Sequence, residues 1–285
     1  MIQLLHFITK LSVFVFLISS MLGTGMGLTL GLLIAPLRQW RLVLLALGLN
    51  FVFAPFLAWL VTLVIPLQSG HAIGLLLLSG AAGAPFVPKL VETARGNLTL
   101  AAALMVLLTV GTIIFMPLAL PLFISGLEAS ARSIARPLVF FILLPLILGL
   151  LVRTFAESFA NRVAPTLAKV STASLVIVFV LLVVLHIPAL IKVVGSKAIL
   201  AGIVYLVALF AGSWILSARE ADARDVLLLA TGARNFGAAL VPAASSFNDP
   251  SISVALIVNA ILGVALSFLA AAWLRKKRPA QTQAT

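Results

Sequence analysis

The apolar residues of this chain run on instead of alternating with polar ones. No Asp, Glu, Lys or Arg occurs from Leu42 to Pro88, from Gly96 to Leu127, or from Pro250 to Leu274. A helix needs about 20 apolar residues to cross the hydrocarbon core of a bilayer. The pattern predicts nine membrane-spanning helices, at roughly 8–31, 40–64, 71–93, 97–124, 134–153, 165–187, 197–217, 222–246 and 251–274. The gaps between them are short and carry Pro, Gly or charge. The fold class is an all-α polytopic membrane protein. A transmembrane β-barrel is excluded, because its strands alternate apolar and polar residues.

Two of these spans are interrupted in similar ways. The third contains Ser79-Gly80-Ala81-Ala82-Gly83-Ala84-Pro85-Phe86-Val87-Pro88. The eighth contains Thr231-Gly232-Ala233-Arg234-Asn235-Phe236-Gly237-Ala238-Ala239-Leu240-Val241-Pro242. Each opens on a hydroxyl residue, Gly and Ala, closes on Val-Pro, and is followed by one last apolar stretch of its half of the chain. Such paired, interrupted helices are the best sequence pointer to a transporter's binding site. They predict inverted repeats, about 1–124 with four spans (broken helix about 71–93) and 130–274 with five (broken helix about 222–246), then a tail, 275–285. The breaks, at 79–88 and 231–242, are expected to be unwound and to cross.

Charge adds orientation. The chain is 63% hydrophobic and 9% charged, with a net charge of +12 and mean hydropathy +1.26. That basic excess reads as topology and not as nucleic-acid binding, because Lys and Arg fall in the gaps. With the N-terminus outside, the cytoplasmic gaps hold Arg38, Arg41, Lys89, Arg95, Arg153, Arg162, Lys169, Arg219, Arg224, Arg275, Lys276, Lys277 and Arg278. That is 13, against 5 outside: Lys10, Arg132, Arg136, Lys192 and Lys197. The split predicts a multi-pass protein of the cell (inner) membrane, N-terminus outside and C-terminus cytoplasmic, with opposed orientations for the two broken spans. No cleavable signal peptide is expected.

Broken helices expose backbone groups, which survive at membrane depth only when buried in protein or lining a cavity. Ser79 and Gly83 mark the first break; Thr231, Gly232 and Asn235 mark the second. Arg234 is a charge in the middle of an apolar span, costing at least ~2.5–3.5 kcal/mol on insertion scales. It reads either as a fixed cation that attracts a carboxylate substrate or takes the place of a metal cation, or as an Arg held by backbone carbonyls at the break. Asn50 and Asn259 are further polar candidates within spans. Lys89, Glu92 and Arg95 read as an exposed ion-pair ladder, and His6, His71 and His186 as interfacial. No enzyme constellation is present: no cysteine, HExxH, GxSxG, P-loop or paired intramembrane carboxylates. No cofactor and no metal site is expected.

Three motifs carry a family resemblance. Gly25 with Met26-Gly27-Leu28-Thr29-Leu30, Ala94-Arg95-Gly96-Asn97, and Gly232-Ala233-Arg234-Asn235-Phe236-Gly237 stand in the order and spacing seen in the bile acid:sodium symporter family. The resemblance covers about 11–275. It implies a panel domain and a core domain, with two broken helices crossing at the substrate and ion sites; nine-span members have an outside N-terminus. This chain departs where the family would hold sodium. The family's coupling Glu falls on Ala230 and its signature Gln on Arg234. Its Ser-Asn pair falls on Val87 and Pro88, its next hydroxyls on Ala101 and Met105, and an earlier Gln on Asn50.

The expected function is a secondary transporter of a small organic anion by alternating access, embedded in the lipid bilayer and not coupled to sodium. Its candidate substrate-binding residues are Arg234, Asn235, Gly232, Thr231, Ser79, Gly83, Asn50 and Asn259. Proton coupling stays open. The alternatives are a non-transporting membrane sensor or scaffold with the transporter fold, or a sodium-coupled or metalloid-efflux relative.

Overall fold

The computed structural model describes residues 2–29, 31, 34, 36, 38–123, 131–194, 196–247 and 249–277. Among them every regular element is helical: α1 (Ile2–Gly27), α2 (Trp40–Val64), α3 (Ser69–Gly80), α4 (Val87–Thr93), α5 (Leu98–Phe123), α6 (Ala131–Phe155), α7 (Glu157–Val194), α8 (Lys197–Leu216), α9 (Arg224–Gly232), α10 (Phe236–Ser246) and α11 (Pro250–Lys277). Eight segments are long and apolar enough to cross a membrane: α1, α2, α5, α6, α7, α8, α9 with α10, and α11. The helices α3 and α4 are each shorter than that length, so the expected third span, 71–93, corresponds to two short helical pieces. Many large apolar side chains face outward, among them Leu122, Val64, Ile191 and Leu269. In a bilayer that exterior meets lipid tails.

Helix α1 packs chiefly on α6 and α7, while α3 packs chiefly on α11 and α8 on α9 and α11. Small residues bring α1 and α6 together. A Cβ on Gly25 would lie 2.4 Å from the Leu146 carbonyl oxygen, and one on Gly149 would lie 2.3 Å from that of Leu22. Without a hydrophobic force between helices in lipid, such close backbone approach supplies much of the attraction.

Both broken segments pass between two buried apolar clusters. Leu75 to Ala81 and Phe236 to Ala243 belong to one, with Tyr205 and Leu256; Ala82 to Ala94 and Val226 to Ala233 belong to the other, with Leu104 and Leu274. Each break is therefore where the chain crosses from one core to the other. The most apolar window of Arg224–Ala244 is 100% buried, against 17% for Glu157–Leu185 in α7. Irregular backbone stands where protein, and not lipid, surrounds it.

Several boundaries differ from expectation. The unwound stretches are shorter than 79–88 and 231–242: only 81–86 and 233–235 leave the helix. Ser79 and Gly80 stay in α3, and Pro242 is accommodated inside α10. The gap expected between 153 and 165 is helical from Glu157 onward, with Arg153 paired to Glu157 at 3.0 Å. At 38 residues α7 is roughly 57 Å long and outruns the ~30 Å hydrocarbon core, so its first turns can be polar. Arg275, Lys276 and Lys277, expected in the tail, belong to α11. His71, expected at an interface, is buried in the protein. The expected join at 124–130 and the tail from 278 lie outside the described residues, as do the side chains of His6 and His186.

The motif Ala94-Arg95-Gly96-Asn97 is a helix stop followed at once by a helix start. Arg95 takes φ +56, Gly96 N–H donates to the Val91 carbonyl at 2.8 Å, and the Asn97 side chain accepts from Leu100 N–H at 3.0 Å. A left-handed residue closing the last turn and an Asn opening the next helix are the chemistry such a reversal requires. Lys89 and Glu92 pair at 2.7 Å on the exposed side of α4, as expected of a ladder.

Candidate functional site

The two breaks lie against each other, and backbone accounting explains why. A helix leaves its last carbonyls without intrahelical partners. At the end of α3 these carbonyls are met by Arg234: Nε donates to the Leu78 carbonyl at 3.2 Å and Nη2 to that of Ser79. Nη1 donates to the Asn50 side-chain oxygen at 2.8 Å and to the Thr231 carbonyl at 3.3 Å. Thr231 is in the last turn of α9. Two helix C-termini therefore converge on one guanidinium.

The electrostatics match. A helix C-terminus carries about −0.5 of an elementary charge, so two together present about −1 to a side chain of +1. This supplies the counter-charge for which the sequence holds no intramembrane carboxylate. Arg234 is 5% exposed and its planar fork is spent on four acceptors.

Asn50 reaches this point from α2, where residues Leu49–Phe53 widen into a π turn. Such bulges recur at functional sites. Its amide also donates to the Ala46 carbonyl at 3.0 Å and to the Thr231 hydroxyl at 3.2 Å. The Ser79 hydroxyl turns back onto the Leu76 carbonyl at 2.7 Å, so Ser79 joins the site through its backbone.

The rest of the first break is satisfied by the second break and by α5. Asn235 N–H donates to the Ala81 carbonyl at 2.9 Å, and its side-chain amide donates to the Gly83 carbonyl at 3.0 Å. The Asn235 oxygen accepts from Ala238 N–H at 3.0 Å, capping α10. The Thr109 hydroxyl donates to the Gly83 carbonyl at 3.0 Å. The Thr112 hydroxyl accepts from Ala82 N–H at 2.8 Å and lies 3.1 Å from the Ala82 carbonyl. Gly83 has φ +75, and a Cβ there would lie 2.4 Å from both Thr109 N and Oγ1. Only glycine fits. Gly232 is bare for another reason: a Cβ would overlap the ring of Phe210 at 2.1 Å.

Seven of the eight candidate residues thus meet at one junction: Asn50, Ser79, Gly83, Thr231, Arg234 and Asn235 through hydrogen bonds, and Gly232 as the α9 residue between Thr231 and the break. Asn259 does not join these hydrogen bonds. Its amide donates to the Ala255 carbonyl within α11 at 2.8 Å, and its oxygen faces Gly202 on α8. Sequence reasoning missed Thr109 and Thr112, although two hydroxyls three residues apart in the apolar helix α5 were a signal of one polar face.

A cavity of about 510 Å³ lies beside the far half of α10. Its walls come from α1 (Thr9, Lys10), α6 (Phe141), α7 (Leu182), α10 (Leu240), Asp249 just before α11, and Ser253 in its first turn. None of the eight candidate residues lines it. It combines one cation, one carboxylate and broad apolar walls, at a volume typical of small-molecule sites. Among the described residues no group of His, Cys, Asp or Glu is placed to hold a metal ion.

No curated protein matches the chain. The Sodium Bile acid symporter family matches residues 14–193, which include α2, the first break and α5; the second break lies beyond that stretch. Multi-pass apolar helices, an interrupted helix at the centre and this match over more than half of the sequence agree: the chain belongs to the sodium bile acid symporter family of membrane transporters.

Proposed function

We propose that this protein is a secondary transporter of an amphipathic organic anion in which the Arg234 guanidinium is a resident cation at the place where relatives would bind sodium. The observation that carries the reading is the convergence of the α3 and α9 C-termini on Arg234. Carbonyl oxygens at a helix C-terminus are ligands for a cation, and here a tethered one uses them. In this reading a sodium ion does not fit the junction as built, because its oxygens already serve the guanidinium and the Ala230 side chain beside them offers none.

The substrate site of this reading is the cavity beside α10. Lys10 would hold the anionic group, the apolar walls would take the body of the molecule, and Asp249 and Ser253 would meet a hydroxyl or amine. The bundle of α1, α6 and α7 would move against the elements around the junction, opening the cavity alternately to the two sides. Counting α3 with α4 as one crossing gives nine spans, with the N-terminus outside by the charge distribution. Arg234 then acts on substrate through α10, which it anchors, and not by touching it.

The test is uptake into proteoliposomes of labelled taurocholate and of smaller amphipathic carboxylates, in sodium, potassium or choline. The expected result is saturable uptake that is equal in the three cations and lost in Lys10→Gln. Uptake that requires sodium would overturn the role given to Arg234. Absence of uptake for every anion, with the protein folded, would favour a sensor with the transporter fold.

A further inference from the structure

At the end of the molecule that holds the C-terminus of α11, the cleft between α8 and α11 forms an apolar groove of about 390 Å³. Val207 and Ala211 of α8 and Leu266 and Ala270 of α11 line its length. Trp214 and Trp273 close one end, their rings edge to face with centroids 5.2 Å apart. Two cations sit on this aromatic pair. The Arg224 guanidinium lies 3.5 Å from the centroid of Trp214, and its Nε donates to the Trp214 carbonyl at 2.9 Å. The Lys277 ammonium lies 3.7 Å from the centroid of Trp273 and 5.3 Å from that of Trp214.

Four features distinguish this place from an ordinary helix end. The groove is continuous with the lipid-facing surface, where Leu269 is exposed. Neither Arg224 nor Lys277 forms an ion pair among the described residues. Both Nη groups of Arg224 lack a hydrogen-bond partner there, so the stacked guanidinium keeps donors for an anion. The surrounding segments carry Arg219, Arg275 and Lys276 as well, against Glu220, Asp222 and Asp225, which leaves the end of the groove net positive.

We infer that this groove is a binding site for one anionic phospholipid. The phosphate would sit between Arg224 and Lys277, the two indoles would stand at headgroup depth, and one acyl chain would lie along Val207, Ala211, Leu266 and Ala270. Each part has its physical reason. Trp prefers the membrane interface. A cation over an indole face is held in place while its charge remains available. Basic pockets between membrane helices recognise anionic headgroups, and the charge distribution places this end in the cytoplasmic leaflet, where such lipids concentrate. Helix α9, whose first residue is Arg224, continues into the junction, so the lipid would brace the support of the second break. The inference stands independently of the transported substrate.

The experiment uses the full chain in a neutral detergent. Phosphatidylglycerol, phosphatidylcholine of the same acyl chains, or inorganic phosphate is added, and thermal unfolding and native mass spectrometry are read. The expected result is a saturable rise in Tm and retention of one lipid with phosphatidylglycerol alone, weakened by added salt. Arg224→Gln combined with Lys277→Gln should weaken that response about tenfold or more. Ala270→Phe, which fills the groove and leaves both charges in place, should weaken it separately. Arg41→Gln, which removes a cation 5.4 Å from Trp40, should not. Equal stabilisation by both lipids, a response to inorganic phosphate alone, or a double variant that binds like the parent would each overturn the assignment.

Discussion

The two breaks are made of opposite materials. The first, Ala81 to Phe86, has no polar side chain and takes part through its backbone, chiefly as carbonyls. The second is three residues long, and two of them are Arg234 and Asn235, whose side chains are donors, as is the Asn235 N–H. An unsatisfied backbone group at membrane depth costs several kcal/mol, so neither break is stable alone. Each is the other's solvent. The difference teaches that a charge inside an apolar span need not face a ligand, because an interrupted helix can itself be the counter-ion.

That division can be broken most severely on the acceptor side. Gly83→Ala puts a Cβ against Thr109 in a left-handed conformation, and we expect a loss of about 3 kcal/mol or more. Thermal unfolding in detergent would show it as a large fall in Tm or as failure to accumulate. A variant as stable as the parent would mean that the first break can be rebuilt without its positive φ.

On the donor side, Arg234→Met keeps length and removes the fork, leaving the carbonyls of Ser79 and Thr231 unpaired and that of Leu78 with the Ala81 N–H alone. A loss of about 2–3 kcal/mol is expected. Arg234→Gln should cost less, because an amide can still donate. Sodium should not stabilise either variant. Combining Arg234→Gln with Ala230→Glu returns oxygen and negative charge, and should create a sodium-specific rise in melting temperature by mass action. If the parent already shows such a rise over potassium or choline, the guanidinium is not a resident cation.

Smaller effects sharpen the comparison. Thr112→Val removes the hydroxyl that serves Ala82 and should cost about 1–2 kcal/mol. Asn235→Ala loses the cap of α10 and the bond to Gly83, for about 1–2 kcal/mol. The smallest change is Gly80→Ala, whose Cβ would meet nothing nearer than the Phe115 ring at 3.5 Å. A shift within about 0.5 kcal/mol is expected. A large loss there would show that glycine is needed along the whole segment and not at its one left-handed position.

The sequence by itself determined the membrane class, the places of most helices to within a few residues, though not the ends of α7, and the two interruptions. These follow from local chemistry: long uncharged runs can only be buried in lipid or protein, and Gly-Ala-Pro stretches stop helices. It also singled out Arg234 and Asn235, since a charge and an Asn inside an apolar run stand out without any structure. The tertiary structure decided what those residues touch. No sequence pattern says that the fork of Arg234 reaches Leu78 and Ser79, more than 150 positions away, or that Asn259 bonds within its own helix. Thr109 and Thr112 were overlooked because a hydroxyl on a membrane helix usually returns to its own backbone, as Thr109 also does at the Met105 carbonyl. Partners of backbone groups are set by which helices cross, and that depends on packing of the whole chain, whereas the need for a partner is written locally.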